Sequence, residues 1–272
     1  MTNFSQYWEH IPSSHRSLIL VCGLLFFWIL EGTIPLFTLS YRKWRHAGPN
    51  LFFTLTTVVI NFLFAFAIVR TSFWTSDHHF GLLYLIPAPA WVRAILGLML
   101  LDLISAWLIH WIEHRVKWMW KFHVIHHIDH HVDVTTANRH HPVESVFRAV
   151  FTLLAVAVSG APFWLLMLYQ SLSVVFAQFN HANISLPRPL DRLLSWVIVS
   201  PDMHKVHHHY KQPLTDTNYG NIFSIWDRIL GTFAHESPEN LQYGLDTHFD
   251  EGEKDGLKEL LEIPFQPYRP RR

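Results

Sequence analysis

The sequence predicts an all-α integral membrane protein: about three transmembrane helices, one helical hairpin and a cytoplasmic helical cap. Three observations predict it. Half of the 272 residues are apolar and only 15% are charged, well below the roughly 25% of an ordinary soluble domain. The apolar residues gather in runs as long as a bilayer is thick. And the chain carries 21 histidines, 14 of them between residues 110 and 209. The 21 basic and 21 acidic side chains cancel, so no basic excess invites nucleic acid. The single cysteine, Cys22, lies inside an apolar run, which excludes a disulfide framework and a cysteine-built zinc site.

The first run covers residues 18–39, interrupted only by Glu31 and Pro35. It is long, has aromatic flanks and lacks a small-residue cleavage site, so it reads as a span and not as a cleaved signal. The second, 51–69, has no charge and spans about 28 Å as a helix. The third, 91–110, carries Asp102. A fourth zone, 146–179, is nearly twice a bilayer's thickness and is broken at Ser159-Gly160-Ala161-Pro162. That break predicts a helical hairpin that enters and leaves on one side. Residues 193–199 are apolar but too few to span, and are expected to pack at the interface. From Ser200 the chain is polar and ends in a Pro- and Arg-rich tail from Pro264. No repeat or second soluble domain interrupts it, so the expectation is one domain over 1–272, with the cap formed by 110–145 and 181–235. Arg42, Lys43 and Arg45 follow the first span, and Arg115, Lys117 and Lys121 follow the third. The positive-inside rule places both groups in the cytoplasm, and with them every histidine cluster; the loop 71–90, with His78 and His79, falls outside.

The spacing of the histidines carries the chemistry. His110 and His114 are four apart, on one helical face. His123, His126 and His127 form an H-x-x-H-H set, and His204, His207 and His208 repeat it. His181 ends the hairpin, and His141 stands before Pro142. Neutral imidazole is a strong donor to borderline transition metals, and a helix presents two or three on one face. Nine or ten such ligands are too many for one ion and suit two. Ligand type alone leaves Fe, Zn, Cu and Ni open; redox work requires a metal other than Zn. A lone H-x-x-x-H is as readily a polar helix end among headgroups, and it is the recurrence of the sets that favours a metal. His130, His131, His140 and His209 read as supporting or solvated groups. His10, His15, His46, His78, His79, His235 and His248 read as surface or interfacial. Asp102, an intramembrane carboxylate, is functional by default: it either anchors a ligand histidine or bonds a neighbouring helix. Glu31 reads as structural or interfacial, and Trp107, Trp111, Trp118 and Trp120 as an interfacial belt.

Together these boxes resemble those of the fatty acid hydroxylase/sterol desaturase superfamily of membrane di-iron oxygenases. Membrane acyl-CoA desaturases share the box order, but other segments resemble the hydroxylase superfamily: Arg139-His140-His141-Pro142-Val143-Glu144, Asn180-His181-Ala182-Asn183-Ile184, Ser200-Pro201-Asp202-Met203 before the last box, and Asn218-Tyr219-Gly220 followed by Trp226-Asp227-Arg228-Ile229-Leu230-Gly231-Thr232. The likeness covers about Asp102 to Thr232. It implies metal ligation by His110, His114, His123, His126, His127, His181, His204, His207 and His208, with His141 as a tenth. It further implies two non-haem iron ions, O₂ as co-substrate, and hydroxylation of an unactivated C–H bond in a lipid drawn from the bilayer. Some relatives carry a fused cytochrome b5 domain with an H-P-G-G motif. None occurs here, so electrons are expected from a separate donor of cytochrome b5 or ferredoxin type.

Three other readings compete. The same di-iron site in a desaturase ends in a second hydrogen abstraction. A histidine-rich metal transporter is less favoured, because transporters place ligands at the membrane midplane and only Asp102 lies there. A bis-histidine haem protein needs histidines deep on two facing spans, and they are absent from the sequence.

Overall fold

The computed structural model describes residues 2–248, 256–267 and 269. Among them all regular structure is helical, with only isolated β-bridges. A short helix α1 (Asn3–Glu9) precedes α2 (Ser13–Thr33) and the long α3 (Lys43–Asp77). Helix α4 (Ala90–Asp102) passes through a π-helical segment, Leu103–Leu108, into α5 (Ile109–Arg115), and α6 (Lys117–His127) turns back from it. Then come α7 (Pro142–Ser159), α8 (Phe163–His181), α9 (Arg188–Leu194), α10 (Pro201–His207), α11 (Ile225–Ile229) and α12 (Leu257–Glu262). Among the described residues, four segments are long and apolar enough to cross a membrane: Ser13–Thr33, Lys43–Tyr84, Ala90–Arg115 and Pro142–Ser159.

The helices differ from the apolar runs at their ends, for local reasons. α2 starts earlier, at Ser13 after an extended Pro12, and stops at Thr33, because the residue before Pro35 is pushed out of helical geometry. α3 begins at Lys43 although Pro49 lies inside it. Its polar first turns are held by side chains at the histidine end of the bundle, where Asn50 donates to the Thr135 hydroxyl (2.9 Å). Phe62, Leu63 and Phe66 face outward, each at least 70% exposed, as befits a lipid-facing surface. Leu193, Trp196 and Val197 are exposed apolar side chains at and after the end of α9, consistent with a helix at the interface.

The expected hairpin is α7–α8. Gly160 ends α7 in the left-handed region (φ 70°), and Pro162 starts α8. Gly81, also at positive φ, packs backbone to backbone on it, and a Cβ on Gly160 would fall 2.3 Å from the Phe80 carbonyl. Gly160→Ala is therefore expected to cost about 1–3 kcal/mol, read as a lower melting temperature in detergent. Beside the turn, Leu101, Ala155, Val156, Leu165 and Leu166 form a closed apolar core.

At the opposite end of the bundle, polar side chains tie α2 and α3 to the segment after α6. Glu31, buried, accepts the backbone N–H of Val134 (2.6 Å) and of Asn183 (2.8 Å) and pairs with Lys43, the structural role expected of it. His46 is not the surface residue that its position in the sequence implied. It is 1% exposed, with Nε2 2.9 Å from Asp129 Oδ1 and Nδ1 3.3 Å from Asp133 Oδ2. Against the upward push of burial, the charges of His46 and Arg139 hold the Asp129 carboxyl well below its usual range. Sequence reading misplaced His46 because Asp129 lies 83 residues away.

Candidate metal centre

Each histidine is positioned by the local helix. His110 and His114 share a face of α5; His123, His126 and His127 share a face of α6; His181 is the last residue of α8. Ser200 accepts the Met203 N–H to start α10, which presents His204 and His207, with His208 as its C-cap. The π segment leads directly into α5, and such segments recur at functional sites because they re-aim the following turn.

The rings converge in two buried groups. His110, His114, His123, His127 and His207 each place a nitrogen within 4.8 Å of the others, and so do His126, His181, His204 and His208. The nine histidines of the three boxes and the hairpin end all fall in one group or the other. His141 does not. Its Nδ1 accepts the Val143 N–H at the start of α7, and its ring lies against Phe122 and Phe265.

Hydrogen bonds on the outer nitrogens decide which atoms face inward. The Nδ1–H of His110 donates to the Tyr219 carbonyl (2.9 Å), that of His123 to Glu144 (2.9 Å), that of His114 to Asp216 (3.1 Å), that of His207 to the Thr217 carbonyl (2.7 Å), and that of His181 to the Ala177 carbonyl (2.8 Å). With the proton on Nδ1, each Nε2 is a bare lone pair. Yet Nε2 of His110 lies 3.1 Å from Nε2 of His123, and His181 Nε2 lies 3.1 Å from His126 Nε2 and 3.0 Å from His204 Nε2. In the His110–His123 pair, where both Nδ1 protons are held outward, two bare nitrogens at that distance repel unless a cation sits between them. The spacing matches two imidazoles on one metal at roughly 2.1 Å each. The Nε2 of His207 and both ring nitrogens of His208 are buried with no hydrogen bond to the described residues, and buried polar atoms of this kind call for a partner such as a metal ion. The donor set thus fits two borderline metal ions.

Burial, and the repulsion of neighbouring imidazoles, push His204 and His208 well below the usual imidazole range; burial brings His207 to about 4. They are neutral near pH 7, the form that ligates. Because unfolding restores ordinary imidazoles, the unfolded chain takes up protons below about 6.5 that the fold refuses. The metal-stripped protein should therefore lose stability as pH falls from about 6.5 towards 4, and melting curves across that window test it.

Carboxylates support the ring. Arg148 bridges Glu144 (3.0 Å) and Glu113 (2.6 Å), both fully buried. Glu113, His123 and Glu144 converge closely enough to hold an ion, but the Arg148 guanidinium already supplies the cation there. Glu144→Ala would free His123 to rotate, and a loss of metal affinity of about 10–100-fold is expected, read by chelator competition.

Other residues take places that only the fold could assign. Asp102 bonds no ligand histidine: it accepts the backbone N–H of Ile222 (3.2 Å) and Phe223 (3.1 Å), just before α11. Asp227 accepts Tyr219 N–H, Gly220 N–H, Trp107 Nε1–H and the Thr232 hydroxyl, so it fixes the carbonyl that holds His110. Trp107 and Trp120 are buried, Trp120 against His114 and His127, and are not belt residues; Trp118 is exposed. His140 is half-buried with its ring centroid 5.2 Å from that of His126. His131 stacks on Tyr41. Lys205, between the box histidines, was missed. It is fully buried and donates to the Asn180 (2.9 Å) and His181 carbonyls, capping the C-terminal end of α8, and burial draws its ammonium down to about 7.

A cavity of about 570 Å³ opens onto the centre. His110, His126, His181 and His204 line one end, and Val58, Ile68, Met167 and Val174 line its length between α3 and α8.

Comparison with known proteins fits this geometry. The family model for fatty acid hydroxylases matches residues 94–232, just over half of the 272 residues. The chain belongs to the fatty acid hydroxylase family. The family match begins in α4 and ends just after α11, so it takes in all nine convergent histidines together with Glu144 and Asp227. The chain is also similar to the ornithine lipid hydroxylase OlsE of Rhizobium tropici, 27% identical over 55% of this chain and 44% of that protein. It is similar to the alkylglycerol monooxygenases of Xenopus tropicalis and Danio rerio, 44% and 46% identical over 20% of this chain and 12% of each of those. The chain thus spans less than half the length of these relatives. No solved structure matches. The spans and the family together identify an integral membrane protein.

Proposed function

We propose that this fatty acid hydroxylase family member is an oxygenase that uses O₂ and two histidine-bound iron ions to hydroxylate a C–H bond of a membrane lipid. The observation that carries the reading is the pairing of nine buried imidazoles into a group of five and a group of four, at the end of an apolar cavity. His110, His114, His123, His127 and His207 would hold one ion, and His126, His181, His204 and His208 the other, with His141 acting as a helix cap. Bound iron supplies the reductive activation of O₂ that an unactivated C–H bond requires.

The chain's own residues do the rest. Tyr219, Asp216, Glu144, Thr217 and Ala177 hold the Nδ1 protons, so that each Nε2 stays unprotonated and aimed inward. The apolar cavity wall aligns a hydrocarbon chain and excludes water, which protects a reactive site from side reactions. The basic loops after the first and third spans favour, by the positive-inside rule, a histidine end that faces the cytoplasm, where a separate protein electron donor would reach it. Desaturation by the same site is the second reading, favoured by the same histidine groups, and the product separates the two. Incubating iron-loaded protein, chemically reduced to supply the two electrons of each turnover, with bilayer lipids and isotopically labelled dioxygen should yield a lipid that carries the label. A product that gains a double bond and no label would establish desaturation, and no change in any lipid by fully loaded, reduced protein would overturn the oxygenase reading.

A further inference from the structure

The cavity has a second end. Ser13, Arg16 and Ser17, from the first turns of α2, line it together with Gln170 of α8, and the same cavity continues to His126, His181 and His204. Arg16 Nη2 donates to Gln170 Oε1 (3.1 Å), a neutral acceptor, and among the described residues no carboxylate pairs with it. An exposed guanidinium in the first turn of a candidate span, lining a cavity with four of its five N–H groups unengaged by protein, is a ready partner for an anion.

The polar groups nearer the histidines are in the opposite condition. Thr57 bonds Ser145 (2.8 Å), Ser105 donates to the Tyr169 hydroxyl (3.0 Å), Asn221 bonds Ser173 (2.8 Å), and Arg148 holds Glu113 and Glu144. They satisfy one another, whereas Arg16 satisfies no charge. We infer that the Arg16 end of the cavity binds the anionic headgroup of a single hydrocarbon chain, a phosphate or carboxylate, with the chain running down α8 towards the histidines. Gln170 and His181 lie 11 positions apart on one helix, about 16 Å along its axis. The carbon presented to the metal centre is accordingly remote from the charge, and the Arg16-to-histidine distance sets which carbon it is.

This rests on the oxygenase reading for its consequence, but it can be tested by binding alone. Palmitoyl lysophosphatidic acid and monopalmitoylglycerol share a chain and differ in the anion. Titrated into the purified full-length protein in a non-ionic detergent and followed by thermal shift, the phosphate lipid should bind on the order of tenfold more tightly. Arg16→Gln should abolish that preference while leaving metal content and the ligand-free melting temperature unchanged, and Arg16→Lys should restore part of it. Equal binding of the two lipids by wild type, or an undiminished preference in Arg16→Gln, would overturn the headgroup site. Inorganic phosphate binding as tightly as the lipid would also overturn it, in favour of a free-anion site. Labelled-oxygen incorporation by Arg16→Gln separates the two proposals: continued turnover with the headgroup preference unaltered leaves the oxygenase standing and removes only the headgroup site.

Discussion

Alanine at His110 and His123 together removes one bound ion and spares the other, and alanine at His181 and His204 does the reverse. That is the result expected if the group of five and the group of four are separate sites. Elemental analysis of each double variant should show half the metal of the wild type, and the four-fold variant none. Each double variant loses two donors from one site, a loss well beyond the roughly 10–100-fold that follows removal of a supporting group. Product formation should fall to background in both, because the proposed reaction needs both ions. His127 and His208 stack face to face across the two groups, so the retained ion should bind somewhat more weakly than in wild type. Loss of all metal from either double variant would mean instead that the nine imidazoles fill as one unit. The melting temperature of each variant without metal distinguishes ligand loss from misfolding.

Asp227→Ala is expected to be the most damaging change away from the histidines. Asp227 is fully buried, and its two oxygens take four donors: Tyr219 N (2.8 Å), Gly220 N (2.9 Å), Trp107 Nε1 (2.9 Å) and Thr232 Oγ1 (2.7 Å). Alanine leaves all four without an acceptor in a closed interior, at about 1–3 kcal/mol for each donor that cannot find another. A loss of about 4 kcal/mol or more is expected, a fall of roughly 10 °C in melting temperature. Because the Tyr219 carbonyl holds the His110 Nδ1–H, the group of five should lose affinity before the group of four. Asp227→Asn keeps one acceptor oxygen and the shape, and should recover much of both. Equal weakening of the two groups would show that Asp227 acts on the whole end of the bundle and not through Tyr219.

Much of the fold was legible because its signals are local. A run of apolar residues longer than a bilayer is thick has few alternatives to a span, and a Gly-Ala-Pro break inside an overlong run has few alternatives to a turn. The histidine sets were legible for the same reason: i, i+3 and i+4 fall on one helical face whatever the helix packs against. The helix ends were less so. α3 runs on through Lys43–Asn50 because Asn50 and His46 find partners after α6, contacts that no local pattern contains.

Local spacing therefore determined that nine histidines sit on helix faces at one end of a membrane bundle, and that their number exceeds what one ion can use. Only the tertiary structure divided them into five and four, since His207 joins His110 and His114 while its neighbour His208 joins His181. The same packing turned Asp102 towards a distant loop, brought Trp107 to Asp227, and buried His46 between two carboxylates. Those outcomes depend on pairs such as His110 and Tyr219, which lie 109 residues apart. A sequence states which face of a helix a side chain occupies; what that face meets is decided by the packing of elements far apart in the chain.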